Sequence, residues 1–117
     1  MRIVALLILA AGLAFADSWS GYLVNSSCYA NEQSNTNKDP TTVDRDMTAE
    51  IRQCRPNAKT RHFAVVTNTW NSLKFDDAGN AKAAGLARQS TSWPVTVTVS
   101  GTRTGNTIRV DTISPAH

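Results

Sequence analysis

Pro94-Val95-Thr96-Val97-Thr98-Val99-Ser100 alternates valine with a hydroxyl residue, and this stretch decides the fold class. A period of two places Val95, Val97 and Val99 on one face and Thr96, Thr98 and Ser100 on the other, as in a strand half-buried against a core. Proline cannot donate to a ladder, so Pro94 suits the opening of such a strand. Downstream, Thr104-Gly105-Asn106 turns the chain, and Ile108 and Val110 form the apolar face of a following strand. Ile113 falls out of phase, which predicts a bulge or the strand's end near Asp111.

Further upstream, Ala81 to Gln89 is alanine-rich and reads as a helix capped by Asn80, after turn chemistry at Asp76-Asp77-Ala78-Gly79-Asn80. His62 to Thr67 is a continuous β-favouring run. Asn68 to Asn71 is a turn carrying Trp70, and Leu73 and Phe75 alternate as the second strand of a hairpin. Ser18 to Val24 reads as the first strand, with Gly21 marking a bend or a close backbone approach. Asn25 to Thr42 is polar and broken by Asp39-Pro40, so it reads as a long connection. Asp44 or Asp46 then caps a short helix to Cys54, with Met47, Ile51 and Cys54 on one face and Pro56 as its stop. The expected fold is therefore mainly β. Five strands with one helix between strands 3 and 4, and a helical insert between strands 1 and 2, match an OB-like Greek-key barrel. A small sandwich or an open half-barrel is the alternative.

The first residues bear on compartment. Met1-Arg2, the apolar run Ile3 to Leu13 and Ala14-Phe15-Ala16 have the three parts of a cleaved export signal, predicting a signal peptide over residues 1–16. A membrane span needs roughly 18 or more apolar residues, and this run is shorter. No stable membrane span is therefore expected after cleavage. Residues 17–117 are the length of one domain. With Arg2 removed from the twelve basic residues, eleven remain against nine acidic ones, too mild a balance to predict a nucleic-acid partner. Both cysteines, Cys28 and Cys54, lie in the exported part, where the simplest expectation is that they pair and tie down the insert. Two free thiols or an intermolecular bridge are the alternatives.

Several stretches also resemble a family of small exported bacterial domains of unknown function. They are the opening Gly21-Tyr22-Leu23-Val24-Asn25-Ser26-Ser27-Cys28, the segments Asp44-Arg45-Asp46-Met47 and Glu50-Ile51-Arg52-Gln53-Cys54, the run Lys59 to Val66, and the ending Val97-Thr98-Val99-Ser100-Gly101. Asn25 stands where relatives often have aspartate. The resemblance implies a single exported domain with a cysteine pair, and it brings no activity.

Motifs for catalysis are lacking. The histidines are His62 and the terminal His117, and there is no Gly-x-Ser-x-Gly elbow, His-Glu-x-x-His or phosphate-binding glycine loop. Asp44/Asp46 and Asp76/Asp77 are explained by capping and turn chemistry rather than by a glycosidase pair. Cys28, Cys54, His62 and His117 lack zinc-ligand spacing, so no metal and no cofactor is expected. Two features point to binding. Arg52, Arg55, Lys59 and Arg61, with His62, crowd around Cys54 and could recognise a carboxylate, phosphate or sulfate; a solvated face neutralised by Asp44, Asp46 and Glu50 is the plainer reading. Tyr29, Trp70 and Trp93 sit beside predicted loops, where rings stack on ligands or simply close a barrel end. Trp19, Tyr22, Phe63 and Phe75 fit inward strand positions.

The expectation is thus a non-enzymatic binding module, periplasmic or extracellular, for a small anionic, glycan or envelope-protein partner. The alternatives are a small secreted hydrolase using His62 with an aspartate, or a purely structural envelope protein.

Overall fold

The computed structural model describes residues 16–33, 49–89 and 94–116. Most of the expected signal segment, the Asp44/Asp46 cap, Met47, Trp93 and His117 lie outside these residues. The order is β1 (Asp17–Asn25), α1 (Ser26–Gln33), a helical stretch at 49–53 (α2), β2 (Phe63–Thr67), β3 (Ser72–Phe75), α3 (Asp77–Gln89), β4 (Thr96–Thr104) and β5 (Thr107–Pro115). The protein is mainly β, a five-stranded mixed sheet with three helices among the described residues. β1 runs antiparallel to β2 and β4, β2 to β3, and β4 to β5, while β3 and β5 pair in parallel. The hydrogen-bonded order β1-β2-β3-β5-β4 returns to β1, so the sheet closes on itself.

The alternation read at 95–99 holds. Val97 and Val99 are fully buried beside Leu23, Phe63, Val65, Leu73 and Ile108, while Thr96, Thr98 and Ser100 point away from this inner cluster. Ser100 pairs with Thr112 and Gly101 with Val110, which leaves Asp111 as the extra residue of a bulge and accounts for the shifted phase of Ile113. Gly21 is a close approach, as expected: a Cβ there would lie 2.1 Å from the Val66 carbonyl oxygen.

A second apolar cluster lies on the opposite face of β1 and β2, where Val24, Ala64 and Val66 meet Tyr29 of α1 and Ile51 and Cys54 of the α2 segment. Phe63 to Val66 of β2 are therefore buried alternately against the inner and the second cluster, which explains why they form a continuous apolar run. Tyr22 packs on this second cluster rather than inward, because it alternates with Leu23. Cys28 and Cys54 are joined by a disulfide, with Cα atoms 5.5 Å apart, and the Asn25 N–H donates to the Cys54 carbonyl at 2.8 Å. The insert is thus tied both covalently and through the backbone.

Two further expectations, about the helices, are corrected. Residues 26–33, read as part of a loop, form α1. Its residues are mostly polar and carry no amphipathic stripe, but the Asn25 side chain accepts the Cys28 N–H at 3.1 Å and caps the helix, while Tyr29 and Cys28 anchor it. The later helix also starts four residues earlier than expected. Asp76, not Asn80, is its cap, accepting the Gly79 N–H at 3.0 Å and the Val110 N–H at 3.1 Å. The turn-like Asp77-Ala78-Gly79 becomes helix because Gly79 lets the first turn approach Val110 and Phe75, where a Cβ would lie 2.4 Å from Val110 Cγ2. Ala83, with Ala84, Leu86 and Ala87, then packs α3 against the inner cluster.

Candidate functional site

Beyond Pro56 the chain folds into a tight turn. Asn57 and Thr60 bond reciprocally: the Thr60 N–H donates to the Asn57 carbonyl at 3.1 Å, and the Asn57 N–H donates to Thr60 Oγ1 at 2.9 Å. The Asn57 side chain also accepts the Lys59 N–H at 2.8 Å. Thr60 is buried, so Lys59 and Arg61 on either side of it point outward. The segment is then clamped at its end. Ser26 N–H donates to the His62 carbonyl at 3.0 Å, and the Phe63 N–H donates to Asn80 Oδ1 at 2.9 Å. Asn80, freed from capping, thereby locks α3 to the start of β2.

Between this segment and α3 lies an open groove of about 700 Å³. Lys59, Arg61 and His62 line one wall; Asp77, Asn80 and Arg88 line the other, with Ala81 and Ala84 leaving room between them. Among the described residues, three basic side chains face one carboxylate. Guanidinium groups present planar N–H forks matched to carboxylate, phosphate or sulfate oxygens, so the groove suits a small anion. His62 and Asp77 share the groove, but no hydrogen bond joins them among the described residues.

No family model, curated protein or solved structure matches this chain. Its chemistry therefore has to be read from the groove itself.

Of the predicted basic residues, Lys59 and Arg61 reach the groove. Arg52 and Arg55 are exposed and outside its lining. Tyr29 is not a loop-side ring: it is fully buried under α1, burial pushes its phenol above the usual tyrosine range, and its hydroxyl finds no hydrogen-bond partner among the described residues. Trp70 is half-buried against the second cluster, and Trp93 lies outside the described residues. Both sulfurs that a zinc site would need are bonded to each other. Sequence reasoning missed Arg88, Asp77 and Asn80. The signal was present as the spacing Asp77, Ala81, Ala84, Arg88, one helical face by the three-or-four-residue rule, but it was hidden by starting the helix too late.

Proposed function

We propose that the protein is an exported, non-enzymatic binding module whose OB-like Greek-key barrel holds a small anionic ligand in the groove between residues 58–62 and α3. The observation that carries this reading is the convergence of Lys59, Arg61 and Arg88, from two separate segments, on one concave surface with Asp77 as its carboxylate. The strand order, the parallel β3–β5 pair and the helix between β3 and β4 support the barrel assignment. The disulfide fits an oxidising compartment, periplasmic or extracellular, reached through the signal at residues 1–16. No helix among the described residues is long and apolar enough to cross a membrane. Residues 17–117 then fold as one domain, in keeping with the resemblance to small exported domains.

Nucleic acid is the less favoured ligand. An OB barrel presents the face of strands 2 and 3 to oligonucleotides, and here the Ala64 and Val66 side of β2 is covered by Tyr29, Ile51 and Cys54.

Calorimetric titration with inorganic phosphate, sulfate and a dicarboxylate tests the proposal. Saturable, salt-sensitive binding should weaken at least about tenfold in Arg61→Glu and Arg88→Glu, and neutral analogues should not bind. Binding that is equal in the charge-reversed proteins, or absent for every anion, overturns it. The hydrolase alternative rests on His62 and Asp77 sharing the groove. Turnover of an ester or phosphoester panel that disappears in His62→Ala would replace the binding reading.

A further inference from the structure

The strand pairings define two ends of the closed sheet. Asn25, Phe63 and Phe75 mark one end, where α3 packs; Trp19, Thr67 and Ser72 mark the other. Trp19 lies opposite Val99 and in phase with Leu23, so it is an inward-facing residue at this second end, the mouth of the closed sheet. It packs against the inner cluster yet remains partly exposed. Around it is a concavity of about 250 Å³, floored by Trp19 and Leu73 and rimmed by neutral polar groups, with Arg103 as its one charged residue among the described residues.

The rim is ordered by its own hydrogen bonds. Thr67 and Thr69 share a hydroxyl contact at 3.0 Å, and Asn71 Nδ2 donates to Thr69 Oγ1 at 3.2 Å. Arg103 is held through Nε, which donates to the Gly105 carbonyl at 2.7 Å. An independent feature lies in the adjoining hairpin loop. Trp70 has a φ of 65°, a left-handed conformation that such loops normally give to glycine or asparagine. Its ring turns back onto the second cluster, and the bonds from Trp70 N–H to the Thr67 carbonyl and from Thr67 N–H to the Asn71 carbonyl, both 2.9 Å, close the loop. A bulky residue held there over-determines the backbone that presents Thr69 and Asn71 to the mouth. Held strain of this kind concentrates at ligand sites.

A partly exposed indole ringed by hydroxyl and amide groups is complementary to a pyranose, whose C–H face is apolar and whose edge is hydroxylated. We propose that this mouth binds a sugar ring, stacked on Trp19 and hydrogen-bonded at its edge by Thr69, Asn71 and Arg103. A nucleotide base would also stack, but a strand of phosphates needs more than one arginine at the rim. The site shares no residue with the basic groove and stands or falls separately from it.

Amide and indole NMR shifts of the purified protein, titrated with methyl glucoside, methyl N-acetylglucosaminide and methyl glucuronide, test this, with glycerol as a polyol control. At least one pyranoside should give saturable shifts at the Trp19 indole, Thr69 and Asn71 that glycerol does not reproduce. Asn71→Ala and Arg103→Ala, both at exposed positions, should each weaken that binding about fivefold, the worth of one hydrogen bond. Arg61→Glu should leave it unchanged. Trp19→Phe assigns the indole signal; should that variant fail to fold, the Asn71 and Arg103 variants decide. No saturable shift with any pyranoside, equal shifts with glycerol, or undiminished binding in both rim variants overturns the proposal.

Discussion

Replacing Cys28 and Cys54 together with serine removes a cross-link spanning a sequence separation of 26 residues. In the chain-entropy treatment a loop of this length withholds about 12 cal/mol/K from the unfolded chain, or about 3.6 kcal/mol at 25 °C. Residue 54 is only 1% exposed, so placing a hydroxyl there adds roughly 1 kcal/mol unless it finds a partner. The expected loss is therefore about 4–5 kcal/mol, read as the difference in urea-unfolding free energy between the oxidised protein and the double variant. The damage should also be local. The disulfide belongs to the cluster of Val24, Tyr29, Ile51, Ala64 and Val66, whereas Val97, Val99 and Ile108 belong to the inner one. Amide exchange should accelerate in α1 and α2 while β4 and β5 stay protected. A loss below about 1 kcal/mol, or opening that begins in β4 and β5, would refute the reasoning, because the cross-link would then not be what holds the insert.

Gly79→Ala raises helix propensity by about 1 kcal/mol, yet the new Cβ meets Val110 and Phe75, so the net effect should be a destabilisation of about 1–2 kcal/mol by thermal or urea unfolding; a gain in stability would show that α3 stands off β5. Tyr29 gives a pH dependence. Its folded pKa is raised by burial, so above about pH 10 the unfolded chain sheds a proton that the folded chain keeps, and stability, fully present below that pH, falls as pH rises. Tyr29→Phe should remove that part of the decline and cost little near neutrality; unfolding curves for the two proteins that stay parallel through the alkaline range would contradict the burial.

Much of the sheet was legible because its signal is local. Val95 to Val99 and Ile108 to Val110 alternate, and even the bulge at Asp111 shows as a slipped phase. The cysteine pairing could be read from compartment and count. What escaped was structure whose cause lies elsewhere in the chain. α1 has no amphipathic stripe of its own and depends on a cap from Asn25, a disulfide and the burial of one ring. The first turn of α3 contains Gly79, which local propensity marks as a turn and which only the presence of Val110 explains. The candidate site followed the same division. Lys59 and Arg61 stood in a visible basic run, whereas Arg88 joins them because core packing and the Asn80 bond to Phe63 set its helix beside the start of β2.

The double-sided burial of β2 has a further consequence. In a strand with one greasy and one wet face, sliding by one residue exposes the greasy face, and water forbids it. Phe63, Ala64, Val65 and Val66 present hydrocarbon to both sides, so hydrophobicity alone hardly distinguishes the native alignment from its neighbours. The strand must be indexed by other means. Asn80 grips the first N–H, Gly21 provides the one notch on β1 that the Val66 carbonyl can enter, and the loop held by Trp70 fixes the exit. Each of these acts like a detent in a ratchet. Loosening any one should show itself first as two alignments of β2 in slow exchange, before any loss of secondary structure.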